Sequence, residues 1–223
     1  MSENPTVVIT GANRGIGLEL ARHYAGQGCQ VIGICREASA ELRETAAKVI
    51  EGVDVTLDDG IRKLVSELEG QTIDLLINNA GLLQDEKLGS IDFDSIRTQM
   101  EINAYAPLRV AEALVGQIPY GGKIANITSR MGSIADNDSG GRYGYRASKA
   151  ALNAFGKSLA VDLQPKGIAV AQLHPGYVKT RMVNFGGLIT PTESAKGLAD
   201  RIEELNLENT GSFWHSNGEL LPW

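Results

Sequence analysis

The chain has 223 residues, of which 43% are hydrophobic, and a formal net charge of −6. That length fits one α/β domain, residues 1–223, large enough to bury its own core. The acidic balance argues against a nucleic-acid partner. No apolar stretch approaches the roughly 20 residues of a membrane span, and the polar start from Met1 to Pro5 lacks a signal-peptide core, so a cytoplasmic setting is expected.

Thr6–Thr10 reads as a short buried strand. It runs into Gly11-Ala12-Asn13-Arg14-Gly15-Ile16-Gly17 and then a helical pattern over 15–26, with Leu18, Leu20, Ala21 and Tyr24 on its apolar face. Strand, glycine-rich turn and helix start form an arrangement that binds a pyrophosphate. Glycines let the backbone approach the anion, and the helix N-terminus supplies free N–H groups. The spacing is Gly-x-x-x-Gly-x-Gly rather than Gly-x-Gly-x-x-Gly, so an ordinary αβ turn stays open at this point.

A second strand is expected over 29–35, ending at Cys35-Arg36. Cys29 and Cys35 lie too far apart along it to bridge, and read as two buried reduced thiols. A short helix near 39–47, a strand over 49–54, a helix over 59–69 and a strand over 73–78 follow. That last strand leads into Asn78-Asn79-Ala80-Gly81. A long helix is expected over 93–115, then a strand over 122–128 ending in Thr128-Ser129. Asp136 to Gly141 reads as a turn insertion. Next come a helix over 145–163, a strand over 168–173, a helix over 192–205 and a strand over 211–214. The loop from Arg181 to Pro191 contains Gly186-Gly187, which would suit the hinge of a short lid. His23, His174 and His215 are scattered without metal-ligand spacing, so no metal is expected.

Alternating strands and helices predict a doubly wound, Rossmann-type α/β fold, with a mostly parallel sheet covered on both faces. In such sheets ligands bind beyond the carboxyl ends of the strands. The glycine turn, Asn78 to Gly81 and Ser129 all fall there.

Tyr145 and Lys149 open the helix over 145–163, four residues apart and therefore on one face. A free tyrosine has a pKa of about 10. A neighbouring cation favours the phenolate and lowers that value, making the group usable as an acid or base near neutrality. Tyr143 lacks such a partner, since Ala147 stands four residues on. It is expected on a pocket wall or at the surface.

Thr10-Gly11-x-x-x-Gly15-Ile16-Gly17, Asn78-Asn79-Ala80-Gly81, Asn103 in Glu101-Ile102-Asn103-Ala104, Ser129, Tyr145-x-x-x-Lys149 and His174-Pro175-Gly176-Tyr177-Val178-Lys179-Thr180 together resemble the short-chain dehydrogenase/reductase family. The ending Gly218 to Trp223 is similar to the C-factor and small carbonyl-reductase branch. The resemblance implies a seven-stranded sheet and an NADP(H)-dependent oxidoreductase that exchanges a hydride between nicotinamide and a carbonyl or alcohol.

It implies catalytic roles for Asn103, Ser129, Tyr145 and Lys149. Tyr145 would be the general acid/base, Ser129 would bond the reacting oxygen, and Asn103 would hold a water linking Lys149 to solvent. Ser133 is the alternative hydroxyl. Cofactor contacts would come from Gly11, Asn13, Arg14, Gly15, Ile16 and Gly17, from Asp54 and Val55 at the adenine, and from Asn79, Ala80 and Gly81 at the adenosine side. Lys149 and Tyr145 would serve the nicotinamide ribose, and Pro175, Gly176, Val178 and Thr180 the carboxamide.

Arg36, with Arg14, favours the 2′-phosphate of NADP(H) over NAD(H). Glu37, one residue on, would favour NAD. Substrate contacts are expected among Leu82, Leu83, Met131, Tyr177, Met182 and Phe185. Relatives pair through helices matching 93–115 and 145–163, so a homodimer or homotetramer is expected, with no nucleic-acid or membrane partner. A nucleotide-binding signalling or scaffold protein of the C-factor type is the alternative function.

Overall fold

The computed structural model describes residues 4–223; the first three residues of the polar start lie outside the described residues. Seven strands form one sheet: β1 (Thr6–Thr10), β2 (Gln30–Ile34), β3 (Lys48–Ile50), β4 (Leu75–Asn78), β5 (Lys123–Ile127), β6 (Ala169–His174) and β7 (Phe213–His215). Every pairing is parallel and the order is β3-β2-β1-β4-β5-β6-β7. The chain winds outward from β1 to β3, then returns to place β4 on the other side of β1. That reversal opens a crevice beyond the ends of β1 and β4, where open α/β sheets bind ligands.

Both sheet faces are covered, so the central strands are apolar on both sides. Val7 and Ile9 pack with Leu20 and Ala21 of α1 (Gly15–Gly26), Leu42 of α2 (Ala40–Thr45), and Leu198 and Ile202 of α7 (Pro191–Glu204). Val8 and Ile32 pack on the other face with Leu64 of α3 (Asp58–Glu67), Val110 and Leu114 of α5 (Ala106–Leu114), and Ala160 and Leu163 of α6 (Tyr143–Leu163). Among the described residues no helix is long and apolar enough to cross a membrane. Both cysteines are free; they flank β2, with Cys35 buried and Cys29 only half-buried.

The expected third strand ends early, at Ile50, because Gly52 turns the chain with φ +71°. The expected helix over 93–115 is interrupted. α4 (Phe93–Met100) passes into a widened turn over Glu101–Tyr105 before α5 begins. Pro107 has no N–H to give the Asn103 carbonyl four residues back, so the ladder loses that rung at the widened turn.

A buried polar ladder crosses the middle of the sheet. Asn78 Nδ2 donates to Asn126 Oδ1 at 2.9 Å, and Asn126 Nδ2 donates to Gln172 Oε1 at 2.9 Å. The three residues stand in register on β4, β5 and β6. The ladder lies at, or one or two residues before, the strand ends that carry the site.

Candidate active site

Backbone approaches backbone in the turn between β1 and α1. Gly11 and Gly15 take φ of +65° and +55°, a region that strains residues with a Cβ. A Cβ on Gly11 would stand 2.9 Å from the Ala80 α-carbon, and one on Gly17 would stand 2.3 Å from the Gly11 carbonyl oxygen. Asn79 closes this seam: its Nδ2 donates to the carbonyls of Thr10 and Gly11, both at 3.1 Å. The N–H groups of Asn79 and Ala80 donate to Thr10 Oγ1 at 3.0 and 3.2 Å. On the other side, the Thr180 methyl lies 3.5 Å from where a Gly15 Cβ would be. Gly11–Gly17, Asn79–Gly81 and Pro175–Thr180 therefore meet at one crevice.

The N-terminus of α1 points an uncompensated charge into that crevice. Arg14 occupies the cap position in extended conformation, no side chain caps the helix, and its first turn holds no acid. Free N–H groups and the positive dipole end fit an anion such as a dinucleotide pyrophosphate. Arg14 and Arg36 are exposed, and among the described residues neither forms an ion pair. Asp54 accepts from the Thr56 hydroxyl at 2.7 Å and the Thr56 N–H at 3.0 Å. Those bonds, the hydroxyl first, hold its carboxyl below the usual range, and the Arg36 charge adds to them. Asp54 and Arg36 thus face the same region, beyond β2 and β3. Glu37 is exposed beside them.

Ser129 follows β5, Tyr145 and Lys149 lie in the first two turns of α6, and Asn103 sits in the widened turn; all four are buried. Burial raises the Tyr145 pKa; the hydrogen bond with Ser129 and then the charge of Arg142 pull it back. Burial alone lowers Lys149 to about 7. Its ammonium donates to the Ile127 carbonyl at 2.9 Å and lies 5.9 Å from the Tyr145 ring centroid. The cation expected to act on the phenol was Lys149; the charge that registers there is that of Arg142. The lysine is aimed at a backbone carbonyl and is itself desolvated.

The Asn103 side chain is fully engaged as a clamp. Its Oδ1 accepts from the Leu82 N–H at 2.8 Å, and its Nδ2 donates to the Leu82 carbonyl at 2.7 Å and to Ser148 Oγ at 3.0 Å. This ties the chain after Gly81 to α6. Ser133, the competing hydroxyl, donates to the Trp223 carbonyl at 3.2 Å and accepts from the Asp136 N–H at 3.1 Å. Ser129 Oγ accepts from the Met131 N–H at 3.1 Å and keeps its proton for another partner. Tyr143 lies at the surface, 38% exposed.

Beyond Thr180, Met182 and Phe185 are exposed. Gly187 is packed tightly, since a Cβ there would fall 2.2 Å from the Val178 carbonyl carbon. It is a close-approach glycine, and the left-handed residues of this loop are Asn184 and Phe185.

Two residues at the site carry no mark in the sequence. Helix α6 starts at Tyr143, two residues before the expected 145, because its cap comes from far away. The buried Glu86 accepts from the Gly144 N–H at 3.0 Å, Gln99 Nε2 at 2.6 Å and Ser95 Oγ at 2.6 Å. Arg142 precedes the helix at φ +50° and pairs with Asp85 at 2.6 Å. Only the glycines at 140 and 141 hint at that left-handed entry.

Comparison with known proteins agrees with this geometry. The short chain dehydrogenase family matches residues 5–186. The 1-hydroxy-2-glutathionyl-2-methyl-3-butene dehydrogenase of Rhodococcus sp. (strain AD45) is 40% identical over 224 residues, covering 98% of this chain and 99% of its own. The C-signal protein of Myxococcus xanthus is 40% identical over 154 residues, covering 68% of this chain and 93% of its own. A solved carbonyl reductase from Pseudomonas aeruginosa PAO1 in complex with NADP superposes with a TM-score of 0.87 at 33% identity, over 99% of this chain and 100% of that one. The chain belongs to the short chain dehydrogenase family and is an oxidoreductase of that family.

Proposed function

We propose that the protein is an NADP(H)-dependent carbonyl reductase or alcohol dehydrogenase, with Tyr145 as its general acid/base. The observation that carries this reading is the shared burial of the Ser129 hydroxyl and the Tyr145 phenol beside a glycine turn whose helix end lacks any cap. The backbone collisions that a Cβ would make at Gly11 and Gly17 leave a cradle that suits a pyrophosphate. The unpaired Arg36 and Arg14 suit a 2′-phosphate. The NADP bound to the Pseudomonas relative supports the same choice.

A bound nicotinamide supplies or accepts the hydride. The remaining steps fall to the chain. Ser129 donates to the carbonyl oxygen as negative charge grows on it. Tyr145 gives that oxygen its proton, and takes it back in the reverse direction. Lys149 refills the tyrosine through hydrogen-bonded partners. The Asn103 amide is spent on Leu82 and Ser148, so we assign the linking water to its backbone carbonyl, which Pro107 deprives of a helical donor. The α4, α5 and α6 helices would carry the contact of a homodimer or homotetramer.

The test is NADPH consumption across aldehydes, ketones, quinones and alcohols, with Tyr145→Phe as the control. Turnover is expected in the wild type, and its loss with nucleotide binding retained in the variant. Tyr145→Phe keeping most activity would overturn the assignment. The C-signal relative suggests a signalling protein as the second reading; nucleotide binding without turnover of any substrate would favour it.

A further inference from the structure

A cavity of about 270 Å³ opens beside the catalytic helix, between Lys87 on one side and the turn from Ser139 to Arg142 on the other, with Arg146 and Met131 at its floor. Two of its lining residues, Met131 and Arg146, are chain neighbours of Ser129 and Tyr145. The Met131 N–H donates to Ser129 Oγ at 3.1 Å, and the Met131 sulfur accepts from an Arg142 guanidinium nitrogen at 3.7 Å. The cavity has the scale of a pocket for part of a small molecule.

The charges around it do not cancel. Asp85 is neutralised by Arg142 at 2.6 Å. The Glu86 carboxylate is turned toward the N-terminus of α6 and spent on Gly144, Gln99 and Ser95. Arg146, one residue after Tyr145, donates only to neutral groups: Nε to the Gly140 carbonyl at 3.3 Å and a terminal nitrogen to Ser139 Oγ at 2.8 Å. Its other terminal nitrogen is left with its donors. Lys87 lines the opposite wall and forms no ion pair among the described residues. Two cations without acid partners therefore face one cavity.

We propose that this cavity binds a carboxylate carried by the substrate, so that the preferred substrates are aldehydes, ketones or alcohols with an anionic tail. The inference rests on the oxidoreductase reading above. A planar guanidinium held by its Nε and one terminal nitrogen presents the other to a carboxylate oxygen, and the lysine supplies a mobile second charge. An uncharged tail of the same shape gains neither contact. Met131 is bonded to Ser129 and Arg146 follows Tyr145, so a tail bound between them would also orient the carbonyl toward those hydroxyls.

The experiment uses a homologous series of straight-chain ω-oxo acids, each paired with its primary amide, in NADPH-coupled turnover. At its best chain length the wild type is expected to favour the acid at least about tenfold in kcat/KM, the worth of one charge-assisted bond. The preference should sit mainly in KM and shrink with added salt. Arg146→Gln should bring the acid-to-amide ratio near one. Lys87→Gln, at an exposed side chain whose loss leaves no partner stranded, should lower it severalfold and serves if Arg146→Gln does not fold. Equal use of acids and amides by the wild type, or a ratio unchanged in the folded variants, overturns the proposal. If the series gives no turnover, the wider panel of ketones, quinones and alcohols tests the carbonyl-reductase reading. Calorimetric titration of the matching ω-hydroxy acids and amides then decides the pocket alone. Acid binding that weakens in the variants supports it, and equal binding of acid and amide refutes it.

Discussion

Replacing Lys149 with methionine should abolish turnover and stabilise the protein, and the gain should depend on pH in a defined direction. The Lys149 ammonium is held at about 7 by burial, against 10.5 for a free lysine. At 1.36 kcal/mol per pKa unit, that gap costs the fold about 4–5 kcal/mol wherever the group must be charged. Between pH 7 and 10.5 the unfolded chain binds the extra proton, so this lysine makes stability rise with pH; below 7 the full cost applies. A methionine of similar length removes the cost but loses the bond to the Ile127 carbonyl, a charged bond worth about 1.5–3 kcal/mol. Lys149→Met should therefore gain about 1–3 kcal/mol at pH 6, or roughly 2–12 °C in Tm for a chain of this size. Above pH 7 the folded lysine is neutral and the residual cost falls as pH nears the unfolded value of 10.5, so the gain should shrink steadily and vanish by about pH 10. Urea unfolding of nucleotide-stripped protein, followed by tryptophan fluorescence at several pH values, measures the difference. A variant less stable at pH 6, or a difference that does not change with pH, would show that the lysine is not desolvated as the structure describes.

Ser129→Ala should lower kcat about a hundredfold, as loss of one donor to a developing oxyanion does, while Ser133→Ala should spare kcat; steady-state kinetics separates the two. Glu86→Ala strands the donors of Gly144, Gln99 and Ser95 and should cost about 2–4 kcal/mol in urea unfolding. Glu86→Gln, which keeps one acceptor oxygen, should cost less. Arg36→Ala should weaken NADPH at least about tenfold and leave NADH nearly unchanged, because only the 2′-phosphate uses that charge; fluorescence titration decides, and tighter NADH than NADPH binding in the wild type points to Glu37 instead. Arg142 holds the Tyr145 pKa down, so Arg142→Gln should move the acid limb of the pH profile for alcohol oxidation to higher pH; an unmoved limb would mean that the charge does not reach the phenol.

What the sequence reveals here follows the range of the physics involved. The glycine turn is legible because its constraint is local: Gly11 and Gly17 are the residues whose Cβ would strike backbone. Tyr145 and Lys149 are legible because a four-residue spacing on a helix is a geometric statement. The α6 start is not, since its cap arrives from Glu86, a residue 58 positions away. The ladder of Asn78, Asn126 and Gln172 is equally hidden. Three amides in three apolar strands look like interruptions until the register lines them up. The periodicity over 93–115 reads as one long helix, and only the fold shows the widened turn around Asn103 that interrupts it. The loop glycines 186 and 187 suit a hinge in the sequence, which cannot distinguish a glycine that moves from one, such as Gly187, that lets Val178 come close.

The site works against the fold that carries it. Burial pushes the Tyr145 proton on and the Lys149 proton off, so the ground state leans toward a neutral phenol beside a neutral amine. That is a poor arrangement for stability and a useful one for proton transfer, because neither group is committed to a charge before a substrate oxygen arrives. Ser129 and Arg142 bias the phenol, while the lysine is set by burial alone and is held in place by the Ile127 carbonyl. The surrounding polar groups that hold these biases in place — Asn103 on Leu82, Glu86 on Gly144, Asn79 on Thr10 — are bonded to backbone rather than to the reacting groups. Their bonds fix where the helix and turns sit and leave the catalytic hydroxyls free to exchange partners, which is the division of labour a preorganised oxidoreductase site requires.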